Sequence, residues 1–319
     1  MSAHVRLIGL DWGTSSLRAY LYDVDGRVVA SRRHAWGIRQ LPEGGYAAAL
    51  QAITADWPPC IAVAAGMVGS RQGWLEVPYV DVPADAAAIA QGARRVEACD
   101  THALWIFPGL RQQAPANVMR GEETQVVGAL TQQPRRGAHA RFVLPGTHSK
   151  WASVSDGRIV AFDTWMTGEI YALLLQHSIL GAGVSVDHAK PLPGPAFERG
   201  LHDARASGDA GVFGRLFWVR ALMLNGELAI EDVPDFLSGL LIGEEFRLAS
   251  LRDRGDSAVP LCLIGDASLC QRYATAAAHF GYTAPTIVED AAASGLWQLA
   301  WAAGLLAQAP SFGFFGVHA

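Results

Sequence analysis

Little in this chain of 319 residues points to thiolate metal sites or disulfides. The four cysteines, Cys60, Cys99, Cys262 and Cys270, lie far apart or within apolar runs and form no CxxC pair, so they read as reduced, buried thiols. The ten histidines have no metal-ligand spacing. Positive charge is scarce as well: 25 Lys and Arg against 30 Asp and Glu give a formal charge of −5, which leaves no basic face for nucleic acid. Pairs such as Arg94-Arg95 and Arg135-Arg136 read as solvated loop or helix-end charges. No apolar run reaches membrane-spanning length; the nearest, Ala291 to Ala309, is broken by Gln298, Gly304 and Gln308. The opening Met-Ser-Ala-His-Val-Arg runs straight into a strand and leaves no space for a signal peptide. A cytoplasmic protein with no membrane or nucleic-acid partner is expected. No G-x-x-x-x-G-K-[ST] occurs, so a P-loop is excluded.

What is present is apolar and ordered. A hydrophobic fraction of 50% against 17% charged residues describes a well-buried chain, and the length suits two domains. The most informative stretch is Leu7 to Tyr22. An apolar strand reaches Asp11, the chain turns on Gly13-Thr14-Ser15-Ser16, and an alternating strand leaves with Arg18. One carboxylate and several donors thus gather at a hairpin tip, a layout suited to phosphate. Asp11 can hold a metal ion directly or through water, Gly13 lets backbone approach an anion, and Thr14 and Ser15 can donate to phosphate oxygens.

The layout recurs. Arg141 to Ser155 again runs from an apolar strand through Gly146-Thr147-His148-Ser149-Lys150 into an alternating strand, and each copy then meets an Asp-Gly turn, Asp25-Gly26 and Asp156-Gly157. The two pairs of turns recur at nearly the same offset. Each half therefore opens with a three-stranded meander, and the chain reads as an internal duplication with domains at 1–137 and 138–319, joined through the charged stretch Thr131 to Gly137.

Strands and helices alternate after each meander, which predicts α/β layers with a mixed sheet in each domain. In the first half, Gly45–Ala55, Asp85–Gln91 and Glu122–Leu130 read as helices, Cys60–Ala65 and Ala103–Phe107 as strands, and Gly66–Trp74 as a glycine-punctuated loop of the kind that carries ligand contacts. In the second, a helix capped by Thr167 runs to Ile179, Gly181–Gly211 loops out, and helices cover Val212–Leu224 and Pro234–Leu248. The strand Ala258–Ile264, the helix Ser268–Phe280, the strand Pro285–Val288 and a helix from Ala291 follow.

Three further places could carry chemistry. Gly121-Glu122-Glu123 starts a helix; the acids either serve the helix dipole or supply the base that takes a hydroxyl proton during phosphoryl transfer, Glu122 first and Glu123 in reserve. The turn Gly265-Asp266 after a buried strand could present free amides to a nucleotide, or be an ordinary strand-to-helix turn. Lys150, Arg18 and Arg71, with Ser70 beside the last, are candidates for a phosphate or a substrate carboxylate; Lys150 serves equally well as a surface charge.

In this order the segments resemble the sugar kinase, Hsp70 and actin superfamily. Leu10–Arg18, Ala65–Tyr79, Met119–Gln125, Leu144–Trp151 and Met166–Glu169 are similar to the signature segments of the 2-dehydro-3-deoxygalactonokinase family. The resemblance implies a duplicated ribonuclease H-like fold with an interdomain cleft. It also implies Mg2+ and ATP as cofactors, a sugar-acid substrate phosphorylated on its terminal hydroxyl, and a monomer or homodimer. In its terms Asp11, Gly13, Thr14 and Ser15 form the first phosphate segment, and Gly146 to Lys150 the second. Gly265-Asp266 stands where Gly-Gly is common in the adenosine turn, and Glu122 where related kinases carry Asp. The alternatives are a kinase for another sugar acid, a neutral sugar or a polyol, and a non-catalytic nucleotide-binding sensor of a sugar acid.

Overall fold

A computed structural model of the chain describes residues 5–97, 102–185, 192–252 and 259–306. Cys99, the first four residues, Ala258, and part of the expected loop at 181–211 lie outside them. The described residues group into two compact units. One takes residues up to Arg111, Val118–Thr131 and the chain from Ala292; the other takes Gln112–Asn117 and Gln132–Ala291.

In the first unit β1 (Val5–Trp12), β2 (Leu17–Asp23) and β3 (Val28–His34) form the expected antiparallel meander. After helix α1 (Gly45–Ile53), β4 (Ile61–Gly66) lies parallel to β1 on its other side. Next in sequence come β5 (Val80–Asp81), α2 (Ala86–Gln91), β6 (Arg94–Arg95) and β7 (Leu104–Ile106). The sheet order is β3-β2-β1-β4-β7-β6, and β7 is again parallel to its neighbour β4. Leu7, Ile8, Leu10 and Ala62 to Ala64 are fully buried, as central strands covered on both faces require. Arg94 and Arg95 form a short exposed edge strand rather than a loop. A small sheet not evident from the sequence joins β5 to β8 (Leu110–Gln112) and β9 (Asn117–Met119). Helix α3 (Glu122–Gln132) follows.

The second unit repeats this plan. β10 (His139–Leu144), β11 (Ser149–Ser155) and β12 (Arg158–Trp165) are antiparallel; β13 (Leu261–Ile264) is parallel to β10, and β14 (Thr286–Val288) to β13. The order β12-β11-β10-β13-β14 matches β3-β2-β1-β4-β7 strand for strand, so the duplicated ribonuclease H-like topology is present. The hairpin turns differ in detail. Asp156 and Gly157 both have positive φ in a two-residue turn, whereas in the first copy only Gly26 does, and the Asp23 amide bonds Arg27 across a loop one residue longer.

Helices α5 (Pro195–Arg205), α7 (Val233–Arg252) and α8 (Ala267–His279) pack on the second sheet, while α4 (Thr167–His177) and α6 (Leu216–Leu224) pack with α5 and α7 in a second apolar cluster away from the strands. The expected loop at 181–211 is corrected by α5. Its Pro195 stands in the first turn, where no amide is needed, and its glycine is a packing residue: a Cβ on Gly200 would lie 2.3 Å from the Phe236 carbonyl of α7. The closing helix α9 (Ala291–Ala302) departs from the expected domain at 138–319, because it packs in the first unit. Tyr22 Oη donates to the Ala293 carbonyl at 2.8 Å, Tyr22 stacks at a tilt on Trp297, and Gly295 sits so close to α3 that a Cβ would meet the Thr124 carbonyl at 1.9 Å.

Candidate active site

The first hairpin tip is built by its own backbone and braced from behind. The Gly13 amide donates to the Ser16 carbonyl at 2.9 Å, while the Ile38 and Arg39 amides bond the Gly13 and Thr14 carbonyls. Trp12, fully buried, donates its indole N–H to the Trp36 carbonyl at 2.8 Å. Gly37 passes so close that a Cβ would lie 2.2 Å from Thr14 backbone. Thr14 is half-buried and Ser15 exposed at the tip. Asp11 is the last-but-one residue of β1, opposite Arg18, with 3.9 Å between carboxylate and guanidinium. Burial raises the Asp11 carboxyl above its ordinary range, and Arg18 and Arg33 oppose that shift.

The acids of α3 reach this tip through two glycines. Gly66, at the end of β4, pairs with Trp12 and has φ 97°; a Cβ there would lie 2.7 Å from the Trp12 carbonyl. Gly121, at φ 110°, packs in turn on Gly66, its Cβ position 3.3 Å from the Gly66 Cα. Such backbone contact and positive φ suit glycine alone. The N-terminus of α3 is thereby brought to the Asp11 end of the sheet.

The two glutamates have different surroundings. Glu122 is half-buried, and its Oε2 accepts the Arg120 amide at 2.9 Å. Glu123 is fully buried; both its oxygens accept the Gly121 amide at 2.8 Å, and Thr124 donates to Oε1. Burial, then the Glu122 charge, pushes the Glu123 carboxyl up to about 8, against the Gly121 bonds and Arg120. Arg120 itself was not among the expected site residues. Its guanidinium is buried, lies 4.2 Å over the Tyr79 ring and donates to the Val77 carbonyl at 2.8 Å, with no acceptor for Nε or Nη1 among the described residues. Its Nη1 lies next to Gly69 of the Gly66–Trp74 loop, 3.0 Å from where a Cβ would stand. On that loop Ser70 has a buried hydroxyl with no partner among the described residues, while Arg71 is exposed.

In the second unit the tip is Gly146, Thr147 and His148. Helix α4 abuts it: the Glu169 amide donates to the Thr147 carbonyl at 3.0 Å, a Cβ on Gly168 would lie 2.5 Å from the Gly146 carbonyl, and His148 Nε2 bonds Glu169 Oε2 at 2.5 Å. Ser149 and Lys150, expected beside phosphate, turn inward instead. Ser149 is fully buried and donates to Glu245 at 2.9 Å; the buried Lys150 donates to Thr164 at 2.7 Å, and Thr164 in turn to Asn117. Both side chains are thus placed inside the second unit rather than on the surface of the tip. Thr167 is likewise the first residue of α4 rather than its cap, and its hydroxyl bonds Glu245.

Beside the tip lies a cavity of about 330 Å³, bounded by Gly146 and Thr147, by Thr167, Gly168 and Tyr171 of α4, by Asp235, Ser238, Leu241 and Ile242 of α7, and by Leu269, Arg272 and Tyr273 of α8. Its largely apolar wall with a few polar groups suits a nucleoside. Asp235, buried, and Arg272, partly buried, pair at 2.7 Å. The Gly265-Asp266 turn is not part of this wall. Gly265 stands 3.5 Å, by its Cβ position, from the Pro145 carbonyl before the tip, and Asp266 caps α8; the Ser268 hydroxyl, then the Leu269 and Ser268 amides, donate to its carboxylate and lower its pKa. The wall residues of α7 and α8 were not among the expected site residues; α7 is buried along most of its length, so its sequence marks out no single face.

Residues 11–299 match the family model of 2-keto-3-deoxy-galactonokinase. The chain is 39% identical over 291 residues to the 2-dehydro-3-deoxygalactonokinase of Escherichia coli (strain K12), covering 90% of this chain and 94% of that protein. It is 35% identical to a Rhizobium meliloti protein named for the same activity, over 91% and 97% of the two chains. A crystal structure of a Sinorhizobium meliloti protein described by the same enzyme name superposes with a TM-score of 0.84 at 34% identity, over 93% of this chain and 98% of that one. The chain belongs to the 2-keto-3-deoxy-galactonokinase family.

Proposed function

We propose that this chain transfers the γ-phosphoryl group of ATP to the terminal hydroxyl of 2-dehydro-3-deoxy-D-galactonate, giving 2-dehydro-3-deoxy-6-phosphogalactonate and ADP. The observation that carries the chemistry is the glycine contact that sets the Glu122 end of α3 against the Asp11 hairpin. Glu122 takes the proton of the 6-hydroxyl as its oxygen bonds to phosphorus and the bond to the bridging oxygen of ADP breaks. Partial exposure suits Glu122 to this role, and full burial with both oxygens on the Gly121 amide suits Glu123 to a supporting one.

The nucleoside fits the cavity beside Gly146 and Thr147, and amides of the tip and of the α4 N-terminus suit its phosphates. Arg71 and Arg18, exposed and half-exposed, are the cations offered to the sugar-acid carboxylate, with Ser70 next to Arg71 in the chain. No cluster of three metal-ligating side chains exists among the described residues. Asp11 is a single carboxylate, the donor set expected for Mg2+ that arrives on the nucleotide and keeps most of its water. When bound, that ion neutralises phosphate charge, and Asp11 orients its water shell. Dependence on ATP fits a cytoplasmic enzyme.

The test is a panel of 2-keto-3-deoxygalactonate, its gluconate epimer, unmodified galactonate and neutral sugars, assayed for ADP release with Mg·ATP. The galactonate-derived keto acid should be turned over with the highest kcat/KM. Faster turnover of a neutral sugar, or ADP release independent of any sugar acid, would overturn the assignment.

A further inference from the structure

Helix α7 carries a carboxylate to which the reaction above gives no role. Glu245 is 2% exposed, among the apolar residues Ile242, Phe246 and Ala249. A charge withdrawn from water to that degree is costly unless its oxygens are fully bonded. Here four neutral donors converge on it. Ser149 Oγ and Trp151 Nε1 donate to Oε2 at 2.9 and 2.8 Å, Tyr273 Oη donates to Oε1 at 2.6 Å, and the Thr167 hydroxyl bonds the same carboxylate.

The origin of the donors gives the arrangement its meaning. Ser149 and Trp151 open β11 directly after the Gly146–His148 tip, Thr167 begins α4, and Tyr273 belongs to α8. Thr167 and Tyr273 also line the cavity beside the tip. Gly168, next to Thr167, rests on the Gly146 carbonyl. One side chain on a fourth element, α7, therefore holds together the back of the tip, the helix start that abuts it and a wall of the cavity. A carboxylate is the group suited to this: it accepts on two oxygens and donates nothing. An amide would leave one oxygen for four donors and turn an NH2 toward groups that themselves donate.

We propose that Glu245 is a positioning residue for the nucleotide, fixing the Gly146–His148 tip and the adjoining cavity wall in the form that binds ATP. The inference rests on the reading that this cavity takes the nucleotide. It assigns Glu245 no contact with either substrate.

The experiment compares wild-type chain with Glu245→Gln, by calorimetric titration with ADP and by steady-state kinetics with ATP and the keto acid varied in turn. Loss of the anchoring set should raise the ADP Kd and the ATP KM about tenfold, the order of one charge-assisted hydrogen bond, while the KM for the keto acid stays within about twofold. Circular dichroism and a thermal melt establish that the variant is folded. If Glu245→Gln does not fold, Ser149→Ala and Trp151→Phe each delete one donor and should each raise the ADP Kd roughly threefold. A folded variant that binds ADP as the wild type does, or one whose KM values for both substrates rise together, overturns the proposal. Wild-type chain that binds no ADP overturns instead the nucleotide reading on which it rests.

Discussion

Replacing Glu123 with Gln should make the protein more resistant to unfolding at alkaline pH while leaving catalysis largely in place. The carboxyl is held at about 8, against 4.5 for the free group, because it is fully buried and faces the Glu122 charge. Between those two values the folded chain keeps a proton that the unfolded chain has released. Stability from this group is therefore greatest below pH 4.5, falls as the pH rises towards 8, and levels off above it. At about 1.4 kcal/mol per pH unit for one proton, the loss between pH 5 and pH 8 comes to roughly 3–4 kcal/mol. Gln has the same shape, carries no charge and keeps an oxygen for the Gly121 amide, so the variant should lack this dependence. Urea titrations of both proteins at pH 5 and pH 8 provide the test, since a common slope lets midpoints be read as free energies. The variant should gain on the wild type by roughly 3–4 kcal/mol between the two pH values; a relative change below about 1 kcal/mol would refute the buried-acid account. The same pair of glutamates separates in the kinetic assay. Glu122→Gln should lower kcat by about 10²-fold or more and Glu123→Gln by less than tenfold. Equal losses would contradict the division of roles.

Two glycine substitutions probe the framework. Gly66→Ala places a methyl 2.7 Å from the Trp12 carbonyl at a φ of 97° and should cost about 1–3 kcal/mol of stability, with a fall in kcat as the α3 start is pushed from the hairpin; an unchanged thermal midpoint would argue against this packing. Gly168→Ala drives a methyl to 2.5 Å from the Gly146 carbonyl and should raise the ATP KM with little effect on that of the keto acid, so a change in the keto-acid KM alone would assign the tip to the other substrate.

What could be read from the sequence depended on how far away each side chain finds its partner. The first Gly-Thr hairpin and its Asp-Gly turn were legible because their bonds close within a few residues, as the Gly13 amide does on Ser16 and the Asp23 amide on Arg27, and the second pair was legible by its likeness to the first. With the turns in place, matching meanders foretold matching sheets. The helix α5 was lost for the complementary reason. Pro195 and Gly200 carry the local signature of a loop, and only the close approach of α7, whose Phe236 lies 36 positions beyond Gly200, gives the glycine a reason to sit within a helix. The fate of the polar residues after the second tip was also set at a distance. In Ser149-Lys150-Trp151, alternation predicts one outward face, yet all three are buried. Ser149 and Trp151 turn in because Glu245, 96 and 94 residues on, accepts their hydrogens, and Lys150 because Thr164 and Asn117 lie beneath it. Neither carboxylate of α3 could be chosen over the other for the same cause: Glu122 and Glu123 are adjacent in sequence, and the glycine contact between β4 and α3, formed across more than fifty residues, is what exposes one and buries the other. A phosphate-handling turn thus announces itself locally, but whether the polar side chain next to it meets ligand or core is decided by whichever element packs behind the strand.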